Sequence, residues 1–208
     1  MKTHGSIQNP ELRMILNAEG LKQVAFMPLA PDDDWFKVST VPTAHATSSV
    51  TTLLAAAMTL PYCPGWPVVP VLTCIEDTHD TWTVVSALVT GINQFGDWCQ
   101  ETIAGVNSPA KTWTATCLNA YQTLISIVIT ITGDVAAADR YKLGFNKTYG
   151  VGYHLEAATD LICSLFNFAA DAGTLSLAYQ TYIIAGTPAA SVATNVILLM
   201  RPQHYFGK

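Results

Sequence analysis

The chain has 208 residues, enough for one sizeable hydrophobic core and short for two. Half of its residues are hydrophobic and only 12% are charged, roughly half the charged share of an ordinary soluble domain. Lys and Arg are scattered singly within a formal charge of -5, which leaves no basic stripe for phosphate neutralisation and argues against sequence-directed nucleic-acid binding.

The charge deficit has a geometric meaning. A compact monomer of 22.4 kDa exposes roughly 9,400 Å². Its 10 basic and 15 acidic residues then stand at about one per 380 Å², about half the usual density. The expectation is an exterior partly covered by copies of itself, by a partner or by lipid; the alternative is a neutral monomer wetted by Thr, Ser, Asn and Gln. No linker-like composition divides the chain, so one domain over 1–208 is expected, with 1–45 as an extended arm within it. Met1 to Pro10 holds no apolar signal core, which reads as a chain without a secretory signal, cytoplasmic at synthesis. Cys63, Cys74, Cys99, Cys117 and Cys163 are odd in number and widely spaced, a pattern of reduced, buried thiols.

In chain order, Leu21 to Val41 shows short apolar runs broken by Pro28, Pro31 and the acidic turn Asp32-Asp33-Asp34, as in a β-hairpin or an extended arm. Thr47 to Ser49 can cap a short helix through Met58 that Pro61 stops. Pro61, Pro64, Pro67 and Pro70 then recur every third residue, the period of polyproline II, which makes 60–71 a stiff strap. Val68 to Ile75 reads as a buried strand.

Trp82, Val85, Val89, Ile92, Phe95, Cys99 and Ile103 recur at three- and four-residue steps and predict a helix ended by Gly105. Ser108-Pro109 predicts a second helix start, with Trp113, Cys117, Ala120, Leu124, Val128 and Ile131 as its apolar face up to Gly133. Ile125 to Thr132 also alternates with period two, as a strand would, so the helix is kept for the first half only. A third helix is expected over Tyr153 to Ala172, and the uncharged run Ala172 to Met200 breaks at Thr187-Pro188. The expected fold is therefore mainly α, with α+β possible: a helical bundle around an antiparallel helical hairpin 79–132, an N-terminal arm or β-hairpin, and the proline strap.

Glu76-Asp-Thr-His79 has a metal-binding spacing, and Asp80 lies beside it, but the second such motif of a di-metal bundle is missing. No metal or cofactor is expected, with Glu76, His79 and Asp80 the ligands if one binds. Glu76/Asp80, Asp97/Glu101 and Glu156/Asp160 are like-charge pairs four apart. They read either as the wet stripe of each helix or as acid/base groups, in which case Glu76, His79, Glu101, His154 and Glu156 are the catalytic candidates. Tyr149-Gly-Val-Gly-Tyr-His154, before an expected helix, reads as a flexible connector rather than an anion-cradling dinucleotide loop. The apolar strap residues Pro61, Pro64, Trp66, Pro67 and Pro70, and the tail residues Tyr205 and Phe206, are the interface candidates.

The expected function is that of a non-enzymatic structural protein that self-assembles into a shell, filament or inclusion through neutral apolar surfaces, its main partner being itself. One alternative is a conditional membrane-inserting pore former that releases 82–133 and 172–200 into lipid. Another is a small metal-dependent or hydrophobic-ligand-binding helical enzyme.

Overall fold

The computed structural model describes residues 21–42, 48–63, 65–77, 81–108, 110–188 and 195–201. The strands in chain order are β1 (Lys22–Phe26), β2 (Asp32–Thr40), β3 (Ser48–Leu54), β4 (Val68–Ile75), β5 (Val84–Asn93), β6 (Trp98–Ala104), β7 (Val106–Asn107), β8 (Thr112–Thr116), β9 (Tyr121–Thr132), β10 (Arg140–Gly150), β11 (Leu161–Phe166), β12 (Ala169–Ala170), β13 (Thr174–Ser176), β14 (Thr181–Ile183) and β15 (Val196–Met200). Among the described residues the only helical pieces are the 3-10 turns Ala55–Ala57 and Ala158–Asp160. The expected helical bundle is therefore overturned. Among the described residues, the supposed helical hairpin 79–132 is β5 to β9, the supposed helix at 47–58 is β3 and a 3-10 turn, and the supposed helix at 153–172 is a loop, a 3-10 turn, β11 and β12. The strand expected over Val68–Ile75 is present with those bounds.

Every strand pair is antiparallel, and the large sheet curls into a half-barrel with two walls. One wall runs β3–β9–β5–β6. The other is β8–β4–β10, with β2 and β14 both pairing β10 on its far side. The walls join where Val68 of β4 pairs Tyr121 of β9, and again at Gly105, where the chain leaves β6 and bends into β7 to pair with β8. The bend is pinned by Gly105 N–H donating to the Val85 carbonyl at 2.7 Å. A smaller sheet, β1–β15–β11–β12, docks through Phe26, which stacks on Trp66 at 4.8 Å and tilts against Tyr149 at 5.3 Å. Of the region 1–45 expected as an arm or hairpin, residues 21–42 are described; in them β1 lies in the small sheet and β2 in the large one, and these two strands do not pair.

Period-two alternation aims Ile127, Ile129 and Ile131 inward from β9, beside Leu53 of β3 and Val85, Ala87 and Val89 of β5. Opposite them lie Leu72 and Cys74 of β4, Trp113 and Ala115 of β8, and Tyr141 and Leu143 of β10, all buried. Toward its start β9 carries two bulges. Thr90 pairs Ser126 but Gly91 pairs Leu124, and Ile92 pairs Thr123 but Asn93 pairs Tyr121, so Ile125 and Gln122 are extra residues on β9. The bulges keep Leu124 and Tyr121 inward after the parity has slipped. Tyr121 then lies over Gly91, where a Cβ would stand 2.7 Å from the tyrosine Cδ1.

The strap is no continuous polyproline rod. Gly65 sits at φ +76° and breaks it. Each described proline instead offers its carbonyl to a separate element: Pro61 accepts from Leu124 N–H (2.9 Å), Pro67 from Gly150 N–H (3.0 Å) and Pro70 from Cys117 N–H (3.0 Å). Pro70 lies inside β4, paired in register with Phe145 of β10, and its carbonyl still serves the β8 side by accepting from Cys117 N–H.

All five cysteines are free. Burial pushes the Cys63 and Cys74 thiols up to about 12, and burial with the nearby Glu101 carboxylate and Cys99 holds Cys117 well above the ordinary range. The fold thus favours the neutral thiols, while the unfolded chain ionises them near 9.0. Their stabilising share is complete below that pH and is lost as pH climbs toward about 12. At pH values between these limits the melting temperature is expected to fall steadily. At neutral pH, Cys63, Cys74 and Cys117 are expected to react with an aromatic disulfide reagent only after denaturation. For the barrel core, Ile129→Ala is expected to lower unfolding free energy by about 2–5 kcal/mol, and the outward Val50→Ala by less than about 0.5 kcal/mol, both read from urea unfolding.

Candidate assembly surface

The outer face of the β3–β9–β5–β6 wall is built by the residues that alternate with its buried isoleucines. Register aligns them in rows across four strands: Val50–Thr130–Ser86–Ala104, Thr52–Val128–Leu88–Thr102 and Leu54–Ser126–Thr90–Gln100. Thr132 and Val84 pair at the margin. No member carries a charge. Val50, Leu54 and Val84 are 57%, 58% and 48% exposed, and Gln100 Nε2 donates to Thr90 Oγ1 at 3.0 Å, so even the one carboxamide is occupied within the face.

The outer face of the opposite wall differs. Its rows are Thr116–Val71–Gly144, Thr114–Thr73–Lys142 and Thr112–Ile75–Arg140. The start of β2 crosses this face at Gly144, whose missing Cβ leaves room for the Asp32 and Asp33 backbone. Lys142 pairs with Asp33. A groove of about 570 Å³ runs here between Pro31, Asp32, Val71, Thr114, Thr116 and Asn146. Asp32, Asp33 and Asp34 hold ligand oxygens within 4.8 Å of one another. Their charge is already partly met, by Lys142 and by Asp34 N–H donating to Asp32 Oδ1 at 3.0 Å. A side-chain hydrogen bond with Asp32, some burial and repulsion from its neighbours raise the Asp34 carboxyl, and Lys142 offsets part of this.

Between the walls, β6 and β8 diverge from the Val106–Thr114 pair and form no ladder with each other. Glu101 closes that wedge. Its carboxylate accepts from Leu118 N–H (2.8 Å), Asn119 N–H (3.3 Å) and the Tyr121 hydroxyl (2.9 Å). Burial, helped by Cys99 and by the Glu101 charge, raises the Tyr121 phenol, so it stays the donor. A charge turned inward on edge strand β6 also discourages another strand from adding there.

The other candidate acids are held apart. Glu76 is buried, and its Oε1 accepts from Thr81 N–H (2.6 Å) and Trp82 N–H (3.1 Å). Asp160 caps Glu156 N–H (3.0 Å) and Ala157 N–H (2.9 Å), so the pair read as like-charged on a helix is an acid closing a turn over its partner's backbone. Glu156, His154 and Asp97 are exposed. Glu76 follows one end of β4 and His154 the strand that meets its other end, about 23 Å away along the strand. His79, Asp80, Pro64, Tyr205 and Phe206 lie outside the described residues. Of the interface candidates, Trp66 is engaged within the chain, stacked on Phe26 and donating to the Gly150 carbonyl at 2.6 Å; Pro70 is buried, and Pro61 and Pro67 are half-buried. Among the described residues the segments offered to lipid are strands joined by turns and loops, and no described helix is long and apolar enough to cross a membrane.

Comparison of the chain with protein-family models, curated proteins and solved structures gave no match. The neutral face, recoverable only once register is known, is the feature that reasoning along the chain missed.

Glu101→Ala leaves two amides and a phenol without their acceptor and is expected to lower unfolding free energy by about 2–4 kcal/mol. Tyr121→Phe, which removes one of those bonds, is expected to lose about 1 kcal/mol. Urea unfolding of the two single variants and the double variant checks both values and their coupling.

Proposed function

We propose that this chain is a structural subunit that assembles with copies of itself through the charge-free outer face of β3–β9–β5–β6. One observation carries the reading: every row on the outer face of β3–β9–β5–β6 is neutral, while two of the three rows on the opposite wall carry Lys142 or Arg140 and the third is crossed at Gly144 by Asp32 and Asp33. Covering the neutral face desolvates no ion, and its Thr and Ser hydroxyls can exchange water for partners across a sheet-on-sheet contact. The engagement of Glu76, Glu101 and Asp160 as acceptors for backbone amides supports a structural role for acids that a hydrolytic site would need free.

The extent of the face says what kind of assembly it suits. Four strands at about 4.8 Å and six residues at about 3.4 Å give a footprint of roughly 400 Å². A standard interface buries about 800 Å² on each partner. A single face-to-face pair is therefore weak, and the arrangement favours a repetitive assembly in which several such contacts act on each subunit.

Sedimentation velocity across the micromolar range tests the proposal. The wild-type chain is expected to form species well above 22.4 kDa, and the double variant Thr52→Lys/Thr102→Lys, with unchanged circular dichroism and melting temperature, is expected to lose them. A wild-type chain that stays monomeric at every concentration, or a charged variant that assembles equally well, overturns it.

A further inference from the structure

The outer face of β3–β9–β5–β6 continues past the Leu54–Ser126–Thr90–Gln100 row. Ile92 of β5 pairs Thr123 of β9 on one side and Trp98 of β6 on the other, and Thr123 is bridged in turn to Tyr62. The next row is therefore Tyr62–Thr123–Ile92–Trp98. It is as free of charge as the others, but it is tall, with Trp98 64% and Tyr62 65% exposed. At the far end the Val50–Thr130–Ser86–Ala104 row is low, holding nothing larger than valine, and past Ala104 the chain turns toward β8 at Gly105.

Both rings stand on fixed backbone. Around Tyr62, the Pro61 carbonyl accepts from Leu124 N–H (2.9 Å), Cys63 N–H donates to the Gln122 carbonyl (3.1 Å), and Trp35 Nε1 donates to the carbonyl of Tyr62 itself (3.0 Å). Trp98 follows a turn closed by Asn93 N–H donating to the Asp97 carbonyl (2.9 Å), with Asn93 Oδ1 accepting from Phe95 N–H (2.9 Å) and Asp97 N–H (3.0 Å). Large rings held in this way lose little freedom when covered, and Trp and Tyr are the usual energetic anchors of contacts between proteins.

The relief of the face selects one way of laying a second copy on it. Two sheets pack about 10 Å apart, and their layers interdigitate when large residues of one oppose small residues of the other. A two-fold axis parallel to the strands would set tall row on tall row and low row on low row, propping the sheets apart at one end and leaving a gap at the other. A two-fold axis running across the strands, midway between the Thr52–Val128–Leu88–Thr102 and Leu54–Ser126–Thr90–Gln100 rows, keeps the strands aligned and lays each tall row on the low row of the other copy. Gln100 then meets Thr102 and Leu54 meets Thr52. We infer that two copies pair about this second axis, each seating Trp98 over Ala104 and Tyr62 over Val50 of the other.

The extent of the face agrees with a pair. Four strands at about 4.8 Å and the nine residues Val84–Ile92 of β5 at about 3.4 Å give roughly 590 Å², nearer the standard of about 800 Å² on each partner than the face without its rings. A contact of this symmetry uses the face once, so larger species grow from the pair through other surfaces.

The inference rests on the self-assembly reading, which it deepens, and the two fail separately. Trp98→Ala and Ala104→Trp are each expected to raise the concentration needed for pairing about tenfold or more in sedimentation velocity. Both positions are exposed, so the melting temperature is expected to stay unchanged. The double variant Trp98→Ala/Ala104→Trp again opposes large to small about the inferred axis and is expected to pair within about threefold of wild type. Single variants that pair like wild type, or a double variant no better than either single one, overturn the inference; if Thr52→Lys/Thr102→Lys abolishes pairing in the same series, the outer-face proposal stands without it. A wild-type chain that stays monomeric overturns both, and its cosedimentation with neutral phospholipid vesicles, lost in Trp98→Ala, would assign the face to lipid.

Discussion

The carboxylate of Glu101 is the group on which the two walls of the half-barrel depend. Strand β6 follows β5 and β8 follows β4; the chain carries β6 toward β8 at the Gly105 corner, and the walls meet again where Val68 pairs Tyr121. Beyond that corner the strands separate, and a backbone ladder cannot span a widening gap. A side chain with two acceptor oxygens can. Glu101 takes two amides from the loop after β8 and the phenol of Tyr121 from β9, so one residue links three strands of different walls. Tyr121 belongs to the same junction through its backbone: it pairs with Asn93 and Val68, and its carbonyl accepts from the Cys63 thiol at 2.6 Å.

How far the fold was legible follows from this junction. Strand β4 was readable because its apolar residues are contiguous and β-branched, and Ile125 to Thr132 showed the alternation of a strand. The first half of β9 looked helical for a physical reason. The helical face read through Leu124, Val128 and Ile131 joins inward Leu124 and Ile131 to outward Val128, and the bulge at Ile125 shifts the alternation so that Leu124 faces inward although the backbone is extended. In β5, Val85 and Val89 are four apart, a spacing shared by both periods. The discriminating signals were Gly91, required beneath Tyr121, and the turn at Gly96, which sits at φ +89°. Neither can be weighed without its spatial partner.

The candidate surface was legible in amount and not in place. Sparse charge announced that some exterior was neutral, but its rows join residues of β3, β5, β6 and β9, which only register brings together. The acids show the converse. Glu76 and His79 attracted notice through a spacing that matters on a helix; on the loop where Glu76 lies, its function is to receive the amides of Thr81 and Trp82. Buried Asp139 does the same for Asp77 and Ala136 at 2.9 and 2.7 Å. In a chain that folds through many loops between short strands, carboxylates near loop ends are consumed by backbone donors that no other element reaches.

An outer face without formal charge also has consequences for kinetics. Such a surface projects no field beyond contact distance, so approach to it is neither accelerated nor oriented by long-range attraction, and productive encounters proceed at the unsteered rate of about 10⁵–10⁶ M⁻¹s⁻¹. The timing of any process on that face is then governed by how much of the chain is present rather than by the ionic composition of its surroundings.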